Sequence, residues 1–317
     1  ISKKYLSRAE NDLARYGRYE DDLIMVVQVN HQQNPWFPPE LEQERSDDEA
    51  NLTADEYDHI WGGAYSDTVP QAIIKKEWFN AAIDAHVRLG ITPTGSVTAT
   101  HDPADQGGDS KGYACKKGIL WTEVDEIISQ DGNTACDEAT SRAVESNADL
   151  FVYDADGMGA LLRVQIDASL KGIKCEARAY RGSGEVDDKK AIYGGVHSKG
   201  SKDKPKTNAD TFFNRRTQRY IALANRFYKT WLWIEKNEYQ NPDEIISISS
   251  EIPLLDKLRT EVCSIPKVPN GAGKIQLMSK KDMKRLHDLD SPGMADCLAM
   301  GEEISAPRVK ARKLNFT

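Results

Sequence analysis

The stretch that most limits what this chain can fold into is a strand that ends in acid. GSVTAT (95–100) puts Val97 and Ala99 on one face and Ser96, Thr98 and Thr100 on the other, the period of two that marks a β-strand. HDPADQGGDSKG (101–112) follows at once, and Pro103 with the Gly107-Gly108 pair breaks the pattern and turns the chain. GYACKKGILWTEV (112–124) then reads as the next strand or two. Asp102 is left at a strand tip. Asp and Gly are ordinary turn residues, so a solvated acidic turn and a metal-ligating strand end are both open on this stretch alone. Partner carboxylates elsewhere must decide between them.

From Gly95 the order is three strands (95–128), a helix (about 134–147), and LFVYDADG (150–157), a second apolar run ending in acid. GALLRVQIDASLKG (159–172) is an amphipathic helix and IKCEARAY (173–180) a further strand. Three antiparallel strands followed by strand–helix units predict a mixed α/β sheet flanked by helices. That order resembles the ribonuclease H-like arrangement rather than a doubly wound dinucleotide fold. Residues 181–210, rich in Gly, Lys and Asp, read as a long loop or hairpin. FFNRRTQRYIALANRFYKTWLWIEK (212–236) is a long amphipathic helix with a basic face, whose Phe213, Tyr220, Phe227 and Trp231 read as core. KIQLMS (274–279) reads as a strand, and SPGMADCLAMGEEI (291–304) as a helix with Ser291 as N-cap and Pro292 at its first position.

Ahead of this block, residues 1–20 read as a polar helix and DDLIMVVQVN (21–30) as a short buried strand. Asn34-Pro35 and Pro38-Pro39 then forbid regular structure. A helix is expected from near Glu40, and residues 46–63 as a capped acidic helix ending at Gly62-Gly63. TVPQAIIKKEWFNAAIDAHVRLG (68–90) spaces Ile73, Trp78, Ala81, Ala82 and Ala85 as a helix does, and Gly90 closes it. Three regions are therefore expected: an appendage over 1–65, a main domain over 66–304 and a basic tail over 305–317. The appendage is too small to fold convincingly alone, and the chain opens on Ile1, so it is expected to be the end of a larger upstream domain.

Charge narrows the partners. The net charge of −8 hides a basic sector, because residues 171–236 hold sixteen Lys/Arg against seven Asp/Glu. An acidic chain with one basic sector suits a polyanion touching one face, or simply a solvated basic surface. Five scattered cysteines without a CxxC pair argue against disulfides and zinc and fit a reducing cytoplasm. No apolar run reaches membrane-spanning length, and the start lacks a secretory core.

Three acids are then candidates to converge: Asp102 after the first strand, Asp154 or Asp156 after the fourth, and Asp296 on the last helix. Asp154 is preferred over Asp156 because it directly follows LFVY. Hard divalent cations such as Mg²⁺ or Mn²⁺ take oxygen ligands. Two of them held by carboxylates can drive phosphodiester hydrolysis. Asp105, in the turn, reads as a turn cap or as a metal contact through water.

Five segments together resemble the large terminase subunits of tailed bacteriophages: VNHQQNPWFPPEL (29–41), YDHIWGGAY (57–65), HDPADQGGD (101–109), VYDADGMGALL (152–162) and SPGMADCLAM (291–300). The resemblance spans nearly the whole chain. It implies a ribonuclease H-like nuclease domain in which Asp102, Asp154 and Asp296 hold two ions to cut concatemeric viral double-stranded DNA with little sequence preference. It also implies a portal protein and a small terminase subunit as partners, assembly as an oligomer on the portal, and a place in the host cytoplasm outside the finished virion. Gly293 departs from the family, which often has another Asp there. No GxxxxGK[ST] loop is present, so residues 1–65 are expected to be the last part of the packaging ATPase and its linker, and ATP hydrolysis is not expected of this chain. Lys199, Lys202, Lys204 and Lys206, with Arg215, Arg216 and Arg219, are expected to grip phosphate. The tail at 305–317 is a candidate portal contact or plain disorder. Two rival readings are a resolvase or transposase of the same fold, which leaves NPWFPPEL and WGG unexplained, and a non-catalytic DNA-gripping or portal-docking module.

Overall fold

The computed structural model describes residues 18–22, 25–27, 31, 34–51, 61, 72–103, 111–129, 131–193 and 206–302. The chain divides into two compact units, Ile1–Asp67 and Thr68–Thr317. In the first, β1 (Arg18–Glu20) pairs antiparallel with β2 (Met25–Val27). Residues 18–20 are therefore strand rather than helix. Met25 and Val27 are exposed, so β2 is half of a surface ribbon, not a buried strand. Helix α1 (Pro39–Asn51) starts where the proline pairs end, as expected. The proline-rich and WGG segments meet here: Phe37 packs edge-on to Trp61 at 5.9 Å, and the Trp61 indole donates to Asp48 at 2.9 Å.

In the second unit, β3 (Val97–Asp102), β4 (Lys111–Lys117), β5 (Leu120–Ile127), β6 (Leu150–Asp154), β7 (Glu176–Tyr180) and β8 (Ser247–Ile248) form one sheet, ordered β7-β6-β3-β4-β5-β8. Strands β3 to β5 are antiparallel neighbours, β6 and β7 run parallel from β3, and β8 runs parallel to β5. This is the predicted mixed sheet, with a two-residue edge strand added. The helices are α2 (Lys76–Ala82), α3 (Ala85–Arg88), α4 (Gly132–Glu145), α5 (Arg163–Ser169), α6 (Asn208–Thr211), α7 (Arg215–Lys236), α8 (Leu255–Val262), α9 (Lys280–His287) and α10 (Gly293–Met300). A short ribbon pairs β9 (Lys267–Val268) with β10 (Gln276–Leu277).

Side-chain alternation assigns the faces. Ala99, Tyr113, Phe151 and Tyr153 pack against α4 and α5, whereas Ala114, Leu150 and Val152 pack with α2, α7 and α10. Burying both faces removes every part of β3 after Val97 from solvent. Thr98, Thr100 and Asp102, which share one face of that strand, thus lie beneath α10.

The helix expected over 68–90 is broken in two. Ile83 is extended and bridges Ile248, and Asp84 is left-handed at φ 48°. Its backbone N–H donates to Ile248 O at 2.8 Å while its carboxylate accepts from Ser250 N at 3.0 Å. An Asp tolerates that conformation, and sheet-edge hydrogen bonds outweigh helical continuity there. The segment 181–210 is closed at its base by Tyr193 N donating to Lys206 O at 3.0 Å.

Candidate active site

Strand register brings the first two acids together. Thr100 pairs with Val152 and His101 with Tyr153, so Asp102 and Asp154 come next on adjacent parallel strands. Neighbouring strands lie about 4.8 Å apart, and these two positions share the face that α10 covers. His101 points to the opposite face, donates to Gly112 O at 2.9 Å, and is kept neutral by burial, which drives its pKa down to about 4. It is a structural histidine.

The third acid arrives because a helix can sit unusually close to the sheet. Gly112, the register partner of Asp102, faces Gly293 at the start of α10. A Cβ on Gly112 would stand 2.4 Å from the Gly293 carbonyl oxygen. Only glycine at that position lets α10 come down and bring Asp296 beside the strand ends. Beyond β6, Gly159 lets the chain fold back against the strand end, since a Cβ there would overlap the Asp154 carbonyl at 1.6 Å.

Asp296 Oδ1 accepts from the Tyr220 hydroxyl at 2.6 Å and from Arg216 Nε at 3.2 Å. The Lys280 ammonium lies 2.7 Å from Asp296 Oδ2 and 3.3 Å from Asp102 Oδ2. Burial opposes the charge on Asp296, but Arg216 and Lys280 more than offset it and hold the carboxyl low. Asp102 goes the other way: burial, reinforced by Asp296 and Asp154, pushes it up. Asp154 rises to about 6, chiefly through burial. Three acids thus stand near two cations; burial raises the Asp102 and Asp154 carboxyls, and the neighbouring acids add to that rise. Asp154, Asp296, Arg216, Tyr220 and Lys280 line one cavity of about 370 Å³.

An all-oxygen, under-neutralised carboxylate group suits a hard divalent cation. Among the described residues, no three His, Cys, Asp or Glu side chains stand at metal-holding spacing. Lys280 instead lies between Asp102 and Asp296 and supplies a positive charge there.

The geometry separates Asp154 from Asp156. Asp156 accepts from Ser183 N and from Ser183 Oγ, both at 2.8 Å, and so anchors the chain after β7. Asp154 receives one backbone bond, from Asp156 N at 2.9 Å, and both acids line the cavity. Asp105, Lys199, Lys202 and Lys204 lie outside the described residues, as does the tail at 305–317. Lys206 is exposed.

The helix arginines are engaged inside the protein. Arg216 pairs with Asp296, and Arg215 donates to Asp187 at 3.0 Å. Arg219 pairs with Asp187 and donates to Glu302 O at 2.9 Å. A basic face read from helical spacing is here a set of ion pairs knitting α7 to its neighbours, not a free phosphate grip. Tyr220 and Phe227 are core as expected, but Phe213 is half exposed and lines the cavity.

Two groups escape the sequence reading. Helix α9, which carries Lys280, is signalled by Ser279-x-x-Asp282; the Ser279 side chain accepts from Asp282 N as an N-cap. Glu261 has no such local signal. The expected Ser291 cap is absent: Pro292 holds the N-cap position of α10 without a side-chain bond, and the Glu261 carboxylate takes the Met294 and Ala295 N–H groups at 3.0 and 3.1 Å.

A mixed six-stranded sheet, with acids at adjacent strand ends and a third on a covering helix, defines a ribonuclease H-like α/β domain with a carboxylate site. No family profile and no curated protein matches the chain. Solved structures do. Two of the nuclease domain of the large terminase subunit gp2 of bacterial virus Sf6, one a mutant with manganese and beta-thujaplicinol, are 39% identical over 74% of this chain and 100% of theirs, with TM-scores of 0.70. A third from Sf6, a mutant with calcium, is 38% identical over the same shares at 0.69. The chain belongs to the bacteriophage large terminase subunits.

Proposed function

We propose that this chain is the metal-dependent endonuclease of a viral genome-packaging motor, cutting concatemeric double-stranded DNA with little sequence preference. The observation that carries it is the under-neutralised trio Asp102, Asp154 and Asp296 in a domain of the terminase nuclease family. These three carboxylates would hold two Mg²⁺ or Mn²⁺ ions, which supply an activated water and a steadied leaving oxygen when bound. Manganese and calcium accompany related Sf6 domains.

The chain's own residues do the positioning. Arg216 and Tyr220 hold Asp296 Oδ1 fixed, while Oδ2 lies 2.7 Å from the Lys280 ammonium. Lys280 balances the trio and must give up part of that contact when a cation of higher charge arrives. Asp156 fixes the cavity wall through Ser183. The loop lysines 199, 202, 204 and 206 remain candidates for gripping backbone phosphate, whereas the α7 arginines are committed elsewhere. In the same reading the first unit is the end of the packaging ATPase and its linker. Portal and small terminase subunits are then the partners, in the host cytoplasm.

Plasmid nicking tests the core of this. Wild-type protein should cut supercoiled plasmid with Mg²⁺ or Mn²⁺ and not with EDTA, and Asp102→Ala and Asp296→Ala should fall to background while keeping the wild-type circular dichroism. Equal cutting by all three proteins would refute the assignment of Asp102 and Asp296, and no cutting by any of them would favour the non-catalytic gripping module.

A further inference from the structure

Helix α10 does two things at once. It packs its apolar residues, among them Met294, Ala295, Leu298 and Ala299, into the main core, and it presents Asp296 in its first turn. The first turn of a helix is its weakest part, because its N–H groups have no partners within the helix. Local side-chain capping is missing: Pro292 offers no side-chain oxygen, and only Gly293 N and Asp296 N find nearby backbone partners, Ser291 O at 3.0 Å and Pro292 O at 2.8 Å. The Met294 and Ala295 N–H groups converge on a single oxygen, Oε2 of Glu261.

That oxygen comes from a separate rigid element. Glu261 sits on α8, whose Leu258 and Val262 are fully buried in the same core as α10. The cap therefore fixes both the unwinding of the first turn and its position against α8. Ala295 is the residue before Asp296, so rotation of that peptide would move the carboxylate directly. Burial pushes the Glu261 carboxyl up to about 8, so near neutral pH the cap acts through its accepting oxygen rather than through a full negative charge. At the other end, Glu302 accepts from Arg226 at 2.6 Å and lies 3.5 Å from Lys116, so α10 is clamped on both sides.

We propose that Glu261 is the positioning residue for Asp296, holding the first turn of α10 so that the Asp296 carboxylate faces Asp102 and Asp154. This rests on the nuclease reading above, in which Asp296 is a metal ligand. Glu261 acts through the backbone of Met294 and Ala295.

The test uses the whole chain and three proteins: wild type, Glu261→Ala, and Glu261→Gln, whose amide oxygen can still accept both N–H bonds. Mn²⁺ binding is measured by calorimetry, plasmid cutting is titrated against Mn²⁺, and melting temperature is recorded for each. Glu261→Ala should bind Mn²⁺ roughly 10- to 100-fold more weakly, the range typical when a group orienting a ligand is lost. Its half-saturating Mn²⁺ should rise in step, and Glu261→Gln should recover most of both. A fall in melting temperature with Mn²⁺ affinity unchanged makes Glu261 merely structural and overturns the proposal. If Glu261→Ala does not fold, Glu261→Gln decides alone: affinity close to wild type supports positioning, and a loss as large as that of Asp296→Ala overturns it. Wild-type protein that neither binds Mn²⁺ nor cuts would refute the nuclease reading itself, and this proposal with it. Normal wild-type cutting matched by Glu261→Ala refutes the proposal only.

Discussion

Two buried acids flank the same helix and live in opposite electrostatic surroundings. Glu302, just after α10, has Arg226 and Lys116 to itself, and its carboxyl is held below the usual range. Asp296, near the start of α10, has Arg216 and Lys280, yet it shares Lys280 with Asp102 and stands near Asp154. The first grouping sets one acid against two cations and has no acid left without a cation. The second is short of positive charge and opens on a cavity. Both are buried carboxylates with cationic neighbours, so burial alone does not mark a functional site. An uncompensated sum of charges does, because a fold keeps that arrangement only if something outside it completes the balance.

The contrast breaks most sharply at Glu302. Glu302→Ala strands Lys116, whose side chain is 3% exposed. Removing one partner of such a buried pair costs about 3–5 kcal/mol. Chemical denaturation should show that loss, while the Mn²⁺ concentration for half-maximal cutting stays where it was in the folded fraction. An unchanged stability would mean that the two groupings do not differ as described.

Gly112→Ala attacks the other side. The added methyl meets the Gly293 carbonyl at 2.4 Å, and overpacking of this kind costs about 1–3 kcal/mol. Its larger consequence should be functional, since α10 must lift away from β4 and take Asp296 with it. Cutting should be lost in protein that remains folded at 25 °C; retained cutting would show that the close approach is not what assembles the site.

Lys280→Ala sharpens the comparison instead. Without the ammonium, Asp102 and Asp296 lose their shared cation, and the melting temperature in EDTA should fall. Mn²⁺ binding should then tighten by roughly tenfold, about 1.4 kcal/mol, because the metal no longer competes with Lys280. Weaker Mn²⁺ binding would assign Lys280 to supporting the metal rather than opposing it.

How much of this was legible in the sequence follows from the range of each interaction. Asp102 and Asp154 each end an alternating or apolar run, so their place at strand tips could be read from local pattern. The mixed sheet followed from the order of those runs. The α7 arginines misled because helical spacing shows only that Arg215, Arg216 and Arg219 share a neighbourhood. It does not show that Asp187 and Asp296 lie opposite them. Glu261 was invisible for a related reason: it caps a turn more than thirty residues away, where Ser291 offered a plausible local cap that the fold does not use. The break at Asp84 is set by sheet edge β8, also far off in sequence. Local chemistry was readable; pairing between distant elements was not.

The smallest effect concerns acid. Burial works against the Glu302 carboxylate, but Arg226 and Lys116 prevail and bring its folded value below the ordinary 4.5. A carboxyl with a depressed folded value binds fewer protons in the native state than in the unfolded chain. Its contribution is therefore fully present above its unfolded value and is lost as pH falls through the folded one. Wild-type stability, followed by urea denaturation in EDTA, should exceed that of Glu302→Gln at pH 6 and converge on it as pH falls below the ordinary 4.5 and through the lower folded value. A gap that stays constant across that range would mean the carboxyl is not held low, and Glu302 would then belong with the unbalanced acids at the other end of the helix.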